Sequence, residues 1–300
     1  MNTIVTLIAN PEACTLGEDM AASIAAMLPD ATTDWLSPGR AADIVVPVPL
    51  DEARQGDLAE TLAARFEGQA IDVAIQTVSP EKRRKKILIA DMDSTMIRQE
   101  CVDELADEAG VGDYVALITA RAMNGEIGFE GALRERVGLL KGLSVATIDK
   151  VIAERIQLMP GGPELIGTMK ANGAWCVLVS GGFTDFTDRI AEMIGFQETR
   201  ANRLVKADGK LTGEVVEPIL GRQAKADALT EIAARLGLAP EDAIAVGDGA
   251  NDLSMLAMAG AGVALHAKPS VAAQAKIRVD RNDLTALLYI QGYRDEEFVR

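Results

Sequence analysis

Four consecutive apolar residues, Ile87 to Ala90, are followed almost at once by two carboxylates, Asp91 and Asp93, and two hydroxyls. An apolar run of this length predicts a strand buried on both faces, as in a parallel sheet. In an extended chain, acids two residues apart point the same way and repel each other unless a cation or a shared proton lies between them. The sequence therefore suggests a metal-assisted site, the alternative being a turn or helix N-cap.

The C-terminal two thirds of the chain alternates short apolar runs with amphipathic helices. This alternation, with short connections, predicts an α/β fold with a doubly wound parallel sheet. Ligands of such folds bind at the carboxyl ends of the strands, which share one edge of the sheet. The polar segments that follow buried strands, and that we expect to meet there, are Asp91–Thr95, Ser180–Gly182 and Gly247–Asp252.

Residues 1 to 80 and residues 99 to 158 have patterns of their own. The first segment has the order β-α-β-β-α-β, which is typical of a ferredoxin-like α+β domain. We expect a small regulatory or dimerising domain there, and an α/β core over 81–300. The second segment holds four amphipathic helices punctuated by glycine, which indicates a helical cap inserted after the first core strand. A cap above the strand ends would act as a lid.

The charge of the chain limits its partners. A net charge of −15 makes nucleic acid and anionic membranes unfavourable. No apolar stretch reaches the ~18 residues that span a bilayer, and the first residues lack the basic region of a signal peptide. The basic run Lys82 to Lys86 is the exception. We interpret it as a solvated hinge between domains, the alternative being a polyanion-binding patch.

The three cysteines and the single histidine limit the catalytic mechanisms that this chain can use. Cys14, Cys101 and Cys176 are far apart and lack Cys-x-x-Cys spacing, so we expect free thiols in the cytoplasm. The only histidine is His266, which excludes a mechanism built on a His pair, a His-based triad or a His-rich metal site. Catalysis would therefore depend on carboxylates, hydroxyls and lysine.

The residues at the three strand ends suit phosphoryl chemistry. The acids match the oxygen ligands that Mg²⁺ prefers, and an aspartate can attack phosphorus to form a covalent intermediate. Ser180 and its two glycines offer a hydroxyl and backbone N–H groups at a helix N-terminus, and Lys225 can supply a fixed positive charge. Each feature alone also has an ordinary explanation, as a flexible turn, a solvated helix lysine or, for Asn251-Asp252, a helix cap.

In their order along the chain, the three strand-end segments and Lys225 resemble the four motifs of the haloacid dehalogenase superfamily of phosphatases, over about residues 85 to 290. Gln99–Glu104, Arg121–Val137 and Ala201–Leu204 extend the resemblance to the branch that hydrolyses O-phosphoserine to L-serine, the last step of serine biosynthesis. The N-terminal segment is similar in layout to an ACT-like domain but carries no effector motif. The resemblance leaves open a homodimer and a small amino-acid effector at that domain.

The resemblance also implies a role for each site residue. Asp91 would be the nucleophile and Asp93 the acid and base. Mg²⁺ would be held by Asp91, by the backbone carbonyl of Asp93 and by Asp248. The expected substrate-binding residues are Glu100, Met123, Phe129, Arg136, Ser180, Gly181, Lys225 and Asn251, with Asp252 and Gly182 in support. From their spacing alone, Glu100 and Arg136 could equally be solvated, and Met123 and Phe129 could belong to the core.

Three other functions stay open at this point. A related enzyme of the superfamily would act on another small phosphomonoester or transfer the phosphoryl group to an acceptor alcohol. A regulatory protein would sense an amino acid through residues 1 to 80 and carry a catalytically idle core. Nucleic-acid binding through the basic run would contradict the overall charge.

Overall fold

The structure, a computed structural model, describes residues 1–123 and 126–300, with Met123 described by its backbone alone. The N-terminal part forms a four-stranded antiparallel sheet in the order β2-β3-β1-β4. This is the predicted ferredoxin-like arrangement, with the last of the four strands at an edge of the sheet. Its elements are β1 (Asn2–Ala9), α1 (Glu18–Ala25), β2 (Thr32–Ser37), β3 (Ala41–Val46), α2 (Glu52–Arg65) and β4 (Ile71–Val78).

The rest of the chain builds a six-stranded sheet with helices. Its strands are all parallel and follow the order β12-β11-β10-β5-β6-β7. The predicted doubly wound α/β fold is thereby confirmed. The elements from residue 80 to the cap are α3 (Pro80–Arg83), β5 (Ile87–Ala90), α4 (Cys101–Glu108), α5 (Gly112–Met123), α6 (Phe129–Leu139) and α7 (Ala146–Glu154). The remaining elements are α8 (Gly162–Ala171), β6 (Trp175–Phe183), α9 (Thr184–Ile194), β7 (Glu198–Asn202), β8 (Leu204–Ala207), β9 (Lys210–Val215), α10 (Ala224–Arg235), β10 (Ala243–Gly247), α11 (Leu253–Met258), β11 (Ala261–Leu265), α12 (Pro269–Ala272), β12 (Ile277–Val279) and α13 (Ala286–Ile290).

Strand β5 lies between β10 and β6, so the three polar segments leave adjacent strands on one edge. Helices α4 to α7 intervene between β5 and α8, as expected for a cap. The domain boundaries at 80/81 and 99/158 remain predictions. No helix among residues 1–123 and 126–300 combines the length and apolar character needed to cross a bilayer.

The N-terminal sheet is covered on both faces. Helices α1 and α2 pack on one face around Val5, Leu7 and Ile44. On the other face Ile8 joins the hydrophobic core that also contains Tyr289 of α13, near the end of the chain. Because apolar side chains on both faces are removed from water, both layers stabilise the sheet.

The prediction of a solvated hinge was wrong for the middle of the basic run, although Lys82 and Lys86 at its two ends are exposed. Arg83 donates from Nη1 and Nη2 to the two carboxylate oxygens of buried Asp43, at 2.5 and 2.8 Å. Arg84 makes two 2.8 Å hydrogen bonds to Glu297. Lys85 is 5% exposed and donates to a backbone carbonyl. The run therefore joins the N-terminal sheet to the end of the chain, through partners too distant in sequence for a local pattern to show.

Two element boundaries differ from expectation for local reasons. Strand β6 was expected to end at Val179 but continues to Phe183, with a register shift against β7 between those residues. Ser180–Gly182 therefore lie in the end of a strand, ahead of the helix that begins at Thr184. Helix α2 begins at Glu52, whereas its apolar periodicity in the sequence begins only near residue 57, because Asp51 caps it by accepting from Arg54 N. Its first turn is polar and exposed, so it carries no apolar periodicity.

Candidate active site

Three buried carboxylates meet at the carboxyl edge of the parallel sheet. Asp91 follows β5, and its backbone N–H donates to Val246 of β10 at 3.0 Å, which holds it in line with the sheet. Asp248 follows β10, and Asp252 precedes helix α11. One carboxylate oxygen from each of the three acids lies within 4.8 Å of the other two. Three acids this close repel one another unless cations lie among them.

One cation is supplied by the chain itself. Lys225, in the first turn of α10, is 3% exposed. Its Nζ lies 2.7 Å from Asp91 Oδ1 and 2.6 Å from Asp252 Oδ1. Burial by itself lowers the pKa of Lys225, but the two carboxylates outweigh burial and raise that pKa above its usual value. Lys225 therefore stays charged. It is buried and paired, so it is not the solvated helix lysine of the alternative interpretation.

Lys225 does not neutralise the whole cluster. Burial, and then the negative charge of Asp91, raise the pKa of Asp252 to about 7 and also raise the pKa of Asp248. Burial is the larger cause of both pKa shifts and the charge of Asp91 the next, and a divalent cation among these carboxylates would offset both. Carboxylate oxygens are the ligands that Mg²⁺ prefers, so the donor set fits a hard metal ion. The side chain of Asp252 is the third carboxylate of this donor set, although the sequence analysis gave Asp252 only a supporting role.

Glycine makes the cluster possible at Gly247. A Cβ on that residue would lie 2.3 Å from Asp252 Cγ, a distance that no side chain tolerates. Asp252 is fixed from the other side by Gly249 N, which donates to its Oδ2 at 2.9 Å. The Gly-Asp-Gly segment is thus required by the close packing of the carboxylate and is more than a turn.

Asp93 faces a different set of groups from Asp91. Strand β5 ends at Ala90 and the chain turns, so the extended geometry assumed from the sequence does not continue. Asp93 Oδ1 accepts from Cys101 N at 3.2 Å. Burial first, and then the charges of Glu100 and Asp91, raise the pKa of Asp93 to about 8. This carboxyl group is therefore able to hold a proton at neutral pH.

The end of β6 lies against Asp93. A Cβ on Gly182 would lie 3.1 Å from Asp93 Oδ2 and 3.0 Å from Ser180 Oγ, so a larger residue here would push these two side chains aside. Gly182 N donates to Ser180 Oγ at 2.8 Å. Asn202 Nδ2 donates to Gly181 O at 2.9 Å and fixes the neighbouring peptide. Hydroxyl and backbone N–H groups are thus held beside the carboxylates.

The cap reaches this strand end through Phe129. Its ring atom Cζ lies 3.1 Å from the position that a Cβ on Gly181 would take. Phe129 also lines a small cavity with Ser180, Gly181, Lys225 and Asn251. The cavity volume is only about 10 Å³, room for about one water molecule. A phosphomonoester does not fit into this cavity as it stands.

The other expected cap residues lie near the same acids. Ser94, with φ of +55°, donates from Oγ to Glu100 Oε1 at 2.9 Å. Burial lowers the pKa of Arg136, while the charges of Asp103 and Glu100 raise it, so Arg136 lies within the field of those acids. The side chain of Met123 lies outside the described residues.

The sequence interpretation gave no role to two residues that contact the cluster. Thr95 Oγ1 donates to Asp248 Oδ1 at 3.3 Å. Lys268 Nζ lies 3.8 Å from Asp248 Oδ2. Lys268 follows β11, the neighbour of β10, so the same rule about strand ends could have found it.

Comparison with known protein families, relatives and solved structures agrees with this geometry. The profile of the haloacid dehalogenase-like hydrolase family matches residues 88–257, more than half of the chain. The chain therefore belongs to this family of hydrolases. A haloacid dehalogenase family hydrolase from Salmonella enterica serovar Typhi has the same overall structure, with a TM-score of 0.84 and 30% identity. The match covers 96% of this chain and 98% of that one, so it includes the N-terminal sheet.

Within the family, the chain groups with the phosphoserine phosphatases. The phosphoserine phosphatase of Polaromonas sp. is 48% identical over 208 residues, 68% of this chain and 88% of the relative. A solved phospho-aspartyl intermediate analogue of a phosphoserine phosphatase is 43% identical, with a TM-score of 0.64. That match covers 69% of this chain and 98% of the solved one. The resemblance stated from the motifs is thereby confirmed.

Proposed function

We propose that this protein is an Mg²⁺-dependent phosphatase that hydrolyses O-phospho-L-serine through an aspartyl phosphate on Asp91. The observation that carries the proposal is the contact between Asp91 and Lys225 at an edge shared by Asp248, Asp252 and the end of β6. Relatives with this order of motifs are phosphoserine phosphatases, one of them solved with an analogue of a phosphorylated aspartate.

In the first step, a carboxylate oxygen of Asp91 attacks the phosphorus atom. The bond from phosphorus to the serine oxygen breaks, and the carboxyl group of Asp93 gives its proton to that oxygen. A raised pKa of about 8 keeps Asp93 protonated at neutral pH, as this step demands. Lys225, Ser180 Oγ and backbone N–H groups at the end of β6 stabilise the phosphoryl oxygens.

In the second step, Asp93, now ionised, takes a proton from a water molecule. The water oxygen bonds to phosphorus, and the bond to Asp91 breaks, which releases phosphate and restores both carboxyl groups. Bound Mg²⁺, held by Asp91, Asp248 and the backbone carbonyl of Asp93 with Asp252 beside it, would neutralise charge on the phosphoryl oxygens.

The cap would select the amino-acid part of the substrate. Glu100, positioned by Ser94, would bind the α-ammonium group, and Arg136 would bind the α-carboxylate. Phe129 and Met123 would close the site against water. We also propose that residues 1–80 form a separate regulatory or dimerising domain, and that 81–300 form the catalytic unit with its cap at about 99–158.

Phosphate release from a panel of phosphorylated metabolites tests the proposed activity. With Mg²⁺, O-phospho-L-serine should be the best substrate, and a chelator should stop release until Mg²⁺ is restored. Asp91→Asn should abolish both turnover and any acid-stable phosphoenzyme, whereas Asp113→Asn, at an exposed position of the cap, should change neither. Full activity in Asp91→Asn would remove Asp91 as the nucleophile. Added serine or homoserine as acceptor separates hydrolysis from phosphoryl transfer.

A further inference from the structure

The end of β6 bulges away from its neighbour β7 beside the candidate active site. Between two successive strand pairs, β6 has the three residues Ser180–Gly182 where β7 has only Ala201. A bulge of this kind removes backbone groups from the strand ladder and is common next to active sites. The segment Ser180–Gly182 therefore depends on partners other than the ladder to stay in place.

The side chain of Asn202 supplies one of these partners. Asn202 is the last residue of β7 and is 2% exposed. Its Nδ2 donates to Gly181 O at 2.9 Å, and its Oδ1 accepts from Leu220 N at 2.7 Å. A carbonyl oxygen can only accept and a backbone N–H can only donate, so the two partners fix the orientation of the carboxamide. Asn202 thus connects the bulge to the segment that leads into α10.

Both partners of Asn202 line the small cavity of the candidate active site. The lining contains Ser180 and Gly181 from β6, together with Leu220, which precedes α10, and Lys225, which lies in its first turn. In the proposed mechanism, the end of β6 and the first turn of α10 bind the same phosphoryl group. A buried side chain that bonds both segments therefore limits how far they can move apart.

The chain between β7 and α10 forms a hairpin of β8 and β9 that contacts the cap. Gly142 N donates to Leu211 O, and Leu211 N donates to Leu143 O, both at 2.9 Å. These bonds join β9 to the loop between α6 and α7. Arg134 of α6 also donates to Glu217, which follows β9, at 2.7 Å. The hairpin is thus a non-covalent attachment of the cap to the core, in addition to the chain segments that enter and leave the cap.

Asn202 joins the two ends of this hairpin. Asn202 precedes β8 and Leu220 follows β9, so the 2.7 Å bond between them closes the hairpin at its base. Val216 N adds a second closing bond, to Arg203 O at 2.9 Å. Any movement of the cap would act on the hairpin and would reach the bulge and α10 at its base. Without the carboxamide, the bulge would be free to shift relative to α10.

We propose that Asn202 is a positioning residue for phosphoryl binding. It holds the bulge and the start of α10 at the separation at which Ser180 and Lys225 reach the same phosphoryl group, and it keeps that separation while the cap moves. Its bonds go to backbone atoms, so it acts through these groups and does not bind the substrate itself. The inference rests on the proposed function, which assigns Ser180, Gly181 and Lys225 to the phosphoryl oxygens.

Inhibition of the Mg²⁺-loaded protein by inorganic phosphate tests this role, with O-phospho-L-serine as the substrate. Asn202→Leu loses both hydrogen bonds, so the inhibition constant of phosphate should rise about tenfold. For the same reason kcat should fall about 30-fold, because the phosphoryl-binding groups are misplaced. Asn202→Ala loses the same two bonds without adding a branched side chain and should act in the same direction, which keeps the test valid if Asn202→Leu does not fold.

Inhibition by L-serine separates positioning from a general loosening of the fold. L-Serine has no phosphoryl group and would be bound by Glu100 and Arg136 of the cap, so its inhibition constant should stay close to that of the wild type in both Asn202 variants. Asn282→Leu is the matched control, because Asn282 is also buried and donates from Nδ2 to a backbone carbonyl, Ile8 O, at 2.9 Å. This change should lower stability and leave both inhibition constants unaltered.

A double-mutant cycle with Ser180→Ala tests whether Asn202 acts through the phosphoryl-binding groups. In that background Asn202→Leu should lower kcat less than in the wild type, because one of the groups that it positions is already lost. Two results would overturn the inference: a phosphate inhibition constant that neither Asn202 variant raises, or equal increases for phosphate and L-serine. Either result, with O-phospho-L-serine still hydrolysed by the wild type, would leave the proposed function intact. A wild type that releases no phosphate would refute the proposed function and this inference with it.

Discussion

Nζ of Lys225 lies 2.7 Å from Oδ1 of Asp91, and both side chains are buried. The same ammonium group bonds Asp252, so one lysine orients the proposed nucleophile and holds two acids together. Its position near the start of α10 places the charge where phosphoryl oxygens would develop negative charge. This contact is the basis of our first prediction.

Lys225→Met should lower kcat for phosphate release at least ~100-fold, because a preplaced charge is lost from the transition state. The change should also destabilise the metal-free protein by about 3 to 5 kcal/mol, since buried carboxylates lose their partner. Urea unfolding and phosphate release measure the two effects. Lys206→Met, at a partly exposed site outside the cluster, serves as the control. Unchanged stability would mean that water already reaches the three acids.

The alkaline limb of the pH profile should depend on Glu100. Asp93 has to be protonated to act as the acid, and its pKa is raised to about 8 by burial and by Glu100. We therefore expect kcat/KM to fall as the pH rises through about 8. Glu100→Gln removes one of the negative charges, so the pKa of Asp93 should fall and the limb should move to lower pH. Glu60→Gln, an exposed change on α2, should leave the limb in place. A limb that moves to higher pH in Glu100→Gln would contradict this assignment.

Gly181→Ala should lower kcat/KM about tenfold, because misplacing a closing element by a fraction of an ångström is costly. The added Cβ would lie 3.1 Å from Phe129 Cζ and would hold the cap away from the end of β6. If this contact is the cause, Phe129→Leu should restore most of the loss in the Gly181→Ala background, a coupling that a double-mutant cycle measures. Gly131→Ala, whose Cβ meets nothing within 4 Å, is the matched control.

Arg83→Met should destabilise the protein by about 3 to 5 kcal/mol, because it leaves the buried carboxylate of Asp43 without its charged partner. Lys82→Met, one residue earlier and 68% exposed on its side chain, should change stability little. Chemical unfolding of both variants gives the comparison. Equal effects of the two changes would restore the interpretation of this run as a solvated hinge.

The part of the candidate site that follows from the position of strand ends could be predicted from the sequence. Strand ends in a parallel sheet share an edge, so Asp91, Ser180 and Asp248 could be expected together without coordinates. The position of the Asp252 carboxylate could not be predicted from the sequence, because it depends on how the chain bends after Gly247. The turn after Ala90 likewise separates Asp93 from Asp91, although alternation in a longer strand would have aligned them.

The sequence predicts those strands and helices whose hydrophobic pattern is contained in a short stretch of the chain. Strands such as Asn2–Ala9 and Ala261–Leu265 are recognisable in the sequence because apolar and β-branched residues dominate each short segment. The partners of Arg83 and Arg84 were not predictable, because a charged run looks the same whether it is solvated or paired. Only the tertiary structure brings residues 40 and 213 positions apart in the sequence within hydrogen-bonding distance.

The helix that covers the second face of the N-terminal sheet has a consequence for biosynthesis. Ile8 is translated well before Tyr289 of the same core, because 281 positions of the chain separate the two residues. Domains usually fold in the order in which the ribosome releases them. Here the N-terminal sheet leaves the exit tunnel with one apolar face bare, so in the nascent chain that face would be a natural place for a chaperone to bind.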